Sequence, residues 1–283
     1  MKVVLMVTMS PLKFDSRVDR EASSLVEAGY RVYVLGLGPL PENCVWTPIQ
    51  VGIVSSTKSS AGKRSSIFWR LVKYLTLVPY RYSKRRQFIN QVREQIEKMR
   101  EVAAIDIIHA HDLPALEATK PFHKDFLLVY DSHELWTGRK LRGLGSRFEM
   151  SRDARIEALE VQSASAVITV SDQLAEELAS KFGREVFVIR NTFPISIENP
   201  PRRINYLAYA GNISDGRDLN TVIDGALEAG VDIKLMGRRI SGFQLKTSLE
   251  VIDHGSIEQA GKFIRDGGIA IVSLESGIEN HLR

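Results

Sequence analysis

The sequence predicts an α/β protein with two parallel sheets, and three observations predict it. Apolar runs such as Lys2 to Thr8 (KVVLMVT) are continuous rather than alternating, as in strands covered on both faces. Amphipathic helices separate these runs, so the strands are joined by crossovers. A proline-bearing segment, Thr192 to Arg203, then interrupts the alternation, which restarts beyond it. At ~100 to 200 residues per domain, the 283 residues divide into an N-terminal domain over 1–195 and a second over 196–283.

Taken in order, Lys2 to Thr8 is the first strand and Met9 to Ser16 a loop. Val18 to Ala28 puts Val18, Ala22, Leu25 and Val26 on one helical face, and Gly29 closes the helix. Arg31 to Leu35 is the second strand and Ile49 to Val54 a third. Lys58 to Arg86 changes character: a polar lead gives way to IFWRLVKYLTLVPYRYSKRR, where aromatic and aliphatic residues are interleaved with basic ones. One reading is a helix pair packed on the sheet with a solvated basic side. The other is a surface over 67–86 that rests on anionic lipid.

Phe88 to Val102 reads as a polar helix. It leads into the strand Ile105 to Ala110, which ends at His111 and Asp112. After a short helix, Pro114 to Lys120, the strand Leu127 to Tyr130 runs into Asp131, Ser132, His133 and Glu134. Arg147 to Ser163 is a helix and Ala166 to Val170 a strand. Ser171 caps a helix to Phe182 that Gly183 terminates, and Val186 to Ile189 is the last strand before the linker. Beyond it, Tyr206 to Tyr209, Asp232 to Met236, Val251 to His254 and Gly268 to Leu274 read as strands, with helices at Leu219 to Ala229 and Gln259 to Arg265. This second sheet lacks the closing helices expected of a full domain.

Composition narrows the function. Lys plus Arg number 38 and Asp plus Glu 34, a modest excess without any nucleic-acid recognition motif, so no nucleic-acid partner is expected. Cys44 is the one cysteine, which excludes an internal disulfide and fits a reducing compartment. No run approaches 18 apolar residues and the amino end has no leader pattern, so the expectation is a cytoplasmic protein without a spanning helix.

The chemistry collects at strand ends, where open α/β sheets bind ligands. Leu207 to Leu219 (LAYAGNISDGRDL) gives a strand, Gly211, a polar turn, Gly216 and Arg217, then a helix. Backbone N–H groups, the helix dipole and a bidentate guanidinium suit a diphosphate there, although glycine also serves merely to make such turns. A G-x4-G-K-[ST] loop and a G-x-G-x-x-G turn after the first strand are both missing, against a P-loop NTPase and a standard dinucleotide oxidoreductase. His109, His111 and His133 with Asp112, Asp131 and Glu134 suggest a metal cluster in composition. Their spacing matches no tight chelating pattern, so no metal is expected. Without a G-x-S-x-G elbow a serine triad is also unsupported. What remains is a histidine beside carboxylates, fit to donate, accept or orient.

The set FDSRV, REASSLVEAGYRVYVL, IDIIHAHDLPAL, VYDSHELW, SASAVITVSDQLAEELASKFG, VFVIRN and YAGNISDGRDL resembles bacterial glycosyltransferases of the GT-B fold, family 4, in order along nearly the whole chain. The resemblance implies two Rossmann-like domains facing across a cleft, the first for the acceptor and the second for a nucleotide-sugar donor. It also implies a retaining, metal-independent reaction without a cofactor, and peripheral attachment to the inner face of the plasma membrane. Position by position, it makes His133 the catalytic residue near the donor sugar. It places Gly211, Asn212 and Arg217 at the diphosphate, with Glu275 and Glu279 near the family's paired-glutamate region. Asp15, Arg17, His111, Asp112 and Glu134 fall on loops toward the acceptor, a glycan or lipid-linked molecule of cell-envelope or exopolysaccharide assembly. The usual P-x-K-x-x-E-Y-M-A-x-G-x-P segment and final crossing helix are missing, so the second domain is expected to be incomplete and the chain a piece of a longer enzyme. Two rivals stand beside this reading: a nucleotide-sugar epimerase of the same fold, and a non-catalytic binding fragment.

Overall fold

The computed structural model describes residues 1–53, 67–139, 141, 143–192, 205–214, 216–239, 243–245, 249–253 and 257–273; side chains at 53, 67–74 and 257–258 are outside that description. Contacts divide the chain into two units, Met1–Thr192 and Phe193–Ile278, a division that falls inside the Thr192 to Arg203 segment.

Unit 1 is a seven-stranded parallel sheet. In chain order it comprises β1 (Val3–Pro11), α1 (Ser16–Glu27), β2 (Arg31–Gly38), β3 (Thr47–Ile53), α2 (Ile67–Val102), β4 (Ile107–His111), α3 (Asp112–Thr119), β5 (Leu127–Ser132), α4 (Ser146–Glu160), β6 (Ala166–Thr169), α5 (Asp172–Phe182) and β7 (Phe187–Val188). The strand order is β3-β2-β1-β4-β5-β6-β7, with β1 near the centre. The continuous apolar run makes that position natural. Val3, Leu5 and Val7 enter one buried cluster and Val4 and Met6 the other, so both faces of β1 are covered. Helix α1 closes the second face with Val18 and Ala22.

The predicted helix pair and the polar helix after it are one 36-residue helix, α2, with Pro79 inside it. Local signals favour a division, since a proline costs ~3 kcal/mol in a helix interior and composition changes after Arg86. Tertiary packing decides otherwise: Phe88, Ile89, Val92, Ile96 and Met99 recur at helical spacing and are buried against the sheet. The caps of α5 follow the sequence closely. The Ser171 hydroxyl accepts from Leu174 N–H at 3.3 Å and Gly183 takes φ 65°.

Unit 2 is a four-stranded parallel sheet in the order β10-β9-β8-β11. Its strands are β8 (Tyr206–Ala210), β9 (Ile233–Met236), β10 (Val251–Ile252) and β11 (Gly268–Ala270); its helices are α6 (Leu219–Glu228) and α7 (Ile257–Gly267). Tyr209, Leu219, Ile223 and Leu235 form the core between α6 and the sheet.

Candidate functional site

In unit 1, the neighbouring strands β4 and β5 bring their carboxyl ends together. β4 carries His109 and His111, two residues apart and therefore on one face, and its register sets His111 opposite Asp131 on β5. One carboxylate oxygen, Asp131 Oδ2, stands 3.3 Å from His111 Nδ1, 3.4 Å from His109 Nε2 and 3.5 Å from His133 Nε2. His111 Nδ1 and His133 Nε2 share a hydrogen bond of 2.8 Å. The rings stack, with centroids 4.3 Å apart for His109 and His111 and 5.1 Å for His111 and His133. All three histidines and Asp131 are buried.

Glu21 of α1 completes the cluster, with Oε2 3.8 Å from His111 Nδ1. Burial, reinforced by the charge of Asp131, pushes its carboxyl up to about 7. His133 moves the other way: burial drives it down to about 3 against the pull of Asp131, so its ring is neutral at physiological pH. Asp131 itself stays ionised; the surrounding histidines hold it well below the usual range despite burial.

Asp15 is buried at the amino end of α1. Its carboxylate accepts from the Ser10 hydroxyl and from Val18 N–H at 3.3 Å, and it lies 3.5 Å from Arg17 Nε. The sequence-predicted acceptor residue is therefore also a helix cap that positions Arg17. Arg17 is kept charged against burial by Asp15, Asp112, Glu134 and Asp131, which brings it into the same carboxylate-rich group. Asp112 accepts from the His133 backbone N–H at 3.1 Å and adopts φ 62°. Its carboxyl is raised to about 7 by burial and by Glu134. Glu134 lies 3.9 Å from Arg139 Nε.

The turn after β8 in unit 2 behaves similarly. Asp218 is the other described non-glycine residue with positive φ, 48°, and it too sits where a strand hands over to a helix. Backbone strain of this kind collects at functional sites. Asp218 gives α6 no side-chain cap, and the amino end of a helix presents backbone N–H groups and a positive dipole suited to an anion. Arg217, half-buried beside them, makes no hydrogen bond or ion pair among the described residues. Gly211 N–H donates to Met236 O at 2.9 Å, and Ile213 N–H to Arg238 O at 3.0 Å. This ties the turn to the end of β9, while Asn212 is exposed. There a cavity of about 330 Å³ is lined by Gly237, Arg238, Arg239, Val251 and Asp253.

Of the sequence-predicted residues, Asp15, Arg17, His111, Asp112, His133 and Glu134 meet at the carboxyl ends of the central strands of unit 1. Gly211, Asn212 and Arg217 share one turn of unit 2. Glu275 and Glu279 lie outside the described residues. Sequence reading missed Glu21, Arg238 and Arg239. The two arginines had a signal, since MGRR repeats the pattern of an apolar strand followed by glycine and a cation. Glu21 had none, because it reaches the cluster through helix packing.

Two parallel α/β units with polar strand ends define the GT-B class of transferase fold. The chain belongs to glycosyltransferase family 4, whose family profile matches residues 16–196. No curated protein sequence matches it. Among solved structures it is similar to sucrose-phosphate synthase from Thermosynechococcus elongatus, at a TM-score of 0.69 and 11% identity over 96% of this chain and 75% of that one. It is similar to Anabaena HepE in complex with UDP, at 0.56 and 15% over 90% and 70%. A protein assigned as a UDP-N-acetylglucosamine 2-epimerase from Listeria monocytogenes follows at 0.53 and 11% over 95% and 74%. At these identities the likenesses speak for the fold.

Proposed function

We propose that this glycosyltransferase moves a hexose from a nucleoside diphosphate sugar to a glycan or lipid-linked acceptor of cell-envelope or exopolysaccharide assembly. Anomeric configuration is retained, and the transfer draws on no metal or cofactor. The observation that carries the donor half is the uncapped amino end of α6 beside Arg217. In glycosyl transfer the C1–O bond to the diphosphate breaks, a bond to the acceptor hydroxyl oxygen forms, and the proton of that hydroxyl passes to the departing diphosphate. Negative charge therefore grows on the leaving group, where N–H dipoles and a guanidinium stabilise the transition state more than the ground state. His133, kept neutral, serves as a hydrogen-bond donor to the sugar or phosphate rather than as a cation. Asp15, through Arg17, and His111, Asp112 and Glu134 shape the acceptor side. Glu275 and Glu279 are assigned to the donor.

Thermal-shift screening against UDP, GDP, ADP and TDP sugars tests class and donor together. A rise in melting temperature with one nucleotide series, followed by acceptor-dependent release of that nucleoside diphosphate, is the expected result. No shift with any series would point to a non-catalytic fragment. Interconversion of the free nucleotide sugar without acceptor would replace the reading with an epimerase.

A further inference from the structure

We propose that unit 1 contains a binding site for one divalent transition-metal ion of the zinc class, formed by Glu21, His109, His111 and Asp131. The inference goes beyond the transfer reaction, and the ion takes no step in it. Nothing in the sequence spacing announces the site, because its ligands come from three elements. β4 supplies two imidazoles on one face, β5 supplies the carboxylate registered against His111, and α1 lays Glu21 over them.

The distances suit a shared ion. One ligating atom from each residue lies within 4.8 Å of all the others. The separations are 3.4 Å for His109 Nε2 to Asp131 Oδ2, 3.3 Å for His111 Nδ1 to Asp131 Oδ2 and 3.8 Å for His111 Nδ1 to Glu21 Oε2. Charge-assisted hydrogen bonds would stand at ~2.7 to 2.9 Å. A tetrahedron with bonds of ~2.0 to 2.2 Å has edges of about 3.3 to 3.6 Å. Two of these separations match such an edge, and the third, like the remaining pairs, stays within 4.8 Å, close enough for one cation to draw the set together.

Their hydrogen-bonding state points the same way. His109 is 8% exposed, its Nε2 has no hydrogen-bond partner among the described residues, and that atom is directed at Asp131; Glu21 Oε2 is likewise buried without one among them. Native proteins rarely leave such atoms unanswered. A cation among them satisfies both. Once coordination has displaced their protons, two carboxylates and two imidazoles offset a charge of +2. The mixed nitrogen and oxygen set favours Zn²⁺ or a neighbouring first-row ion over Mg²⁺ and Ca²⁺, which take oxygen ligands. Coordination through His111 Nδ1 ends that atom's hydrogen bond with His133 Nε2, so occupancy of the site is linked to the setting of the His133 ring.

The test uses the whole chain without a polyhistidine tag, stripped with chelator. Titration calorimetry and elemental analysis should then give one Zn²⁺ per chain, with a melting temperature raised by Zn²⁺ and not by Mg²⁺. Glu21→Gln and His109→Gln should each weaken Zn²⁺ binding at least tenfold, while His123→Gln, outside the cluster, should leave it unchanged. Should His109→Gln unfold, Glu21→Gln decides, since Glu21 is the more exposed residue and the change is isosteric. X-ray absorption of the loaded protein should give two nitrogen and two oxygen neighbours. Failure to bind Zn²⁺ at one per chain, or unchanged affinity in Glu21→Gln, would overturn the proposal and leave a polar cluster. Neither result depends on nucleotide binding, so the proposed transfer reaction stands or falls separately.

Discussion

His133 shows how much one side chain's environment decides. In water an imidazole would be half charged near pH 6.5. Here burial holds it neutral to about pH 3, with Nε2 engaged by His111 and Nδ1 without a hydrogen-bond partner among the described residues. In the proposed transfer, His133→Ala should lower kcat by ~100-fold or more, the usual cost of losing a donor aimed at developing charge, with little change in KM; unchanged kcat would remove His133 from the mechanism. Arg217→Ala belongs to the same scale. It should weaken nucleoside diphosphate binding by ~1 to 3 kcal/mol, and calorimetry giving equal affinity would sink the phosphate assignment. His111, Asp112 and His133 were legible in the sequence because each follows an apolar strand directly. Glu21 was not, since its neighbours along the chain say only that it lies on an amphipathic helix.

Elements are held in place here by buried polar ties as well as by apolar packing. Arg85 of α2 reaches Asp153 of α4 at 2.8 Å and Glu117 of α3 at 2.5 Å, and Trp136 Nε1–H donates to Asp153 at 2.9 Å. Burial alone would raise Asp153, but Arg85, Trp136 and Arg152 outweigh it and hold the carboxyl below its ordinary value of 3.8. A depressed folded pKa contributes stability that is present above the unfolded value and lost as pH falls through the folded one. Acid unfolding should therefore steepen below about pH 4, and Asp153→Asn should lower stability at neutral pH while flattening that acid limb; parallel curves would refute the assignment. In unit 2 the tie is backbone on backbone. A Cβ on Gly237, at φ 150°, would lie 1.8 Å from Gly211 O, so Gly237→Ala must displace the turn. A loss of at least ~1 to 3 kcal/mol is expected, read as a lower melting temperature. The glycines at 211 and 216 were legible as a turn, whereas the contact of 237 with 211 depends on β8 pairing with β9. The continuity of α2 was hidden for a related reason: the stripe that buries it lies past Pro79, where local propensity points to a break.

At the scale of the molecule, the restart of βα alternation after Thr192 made two units readable from hydrophobic pattern alone, since each sheet needs its own buried run of strands. The charge on the surface is harder to read, because a cation in the sequence says nothing about its partner. Of the basic run over 67–86, Arg81 is bound by both carboxylate oxygens of Glu149, at 3.2 and 3.1 Å from its Nε, and Arg85 is buried in the α3 and α4 network. Lys84 and Arg86 face no carboxylate among the described residues, and Leu75, Tyr80 and Tyr82 are exposed on the same helix. No helix among the described residues is long and apolar enough to cross a membrane. Membrane attachment, if α2 provides it, rests on an interfacial contact by a few aromatic residues and at least two cations. At ~1 kcal/mol per basic residue near an anionic surface, that contact is weak and salt-sensitive. The protein should sediment with vesicles containing phosphatidylserine at low ionic strength and be released as salt rises and the Debye length contracts. Reversing charge with Lys84→Glu and Arg86→Glu together should abolish sedimentation without lowering the melting temperature, because neither side chain forms an ion pair among the described residues and the contact of Lys84 with the Tyr80 ring stays within α2. Equal sedimentation with zwitterionic vesicles, or an unaffected double variant, would exclude α2 as the lipid contact.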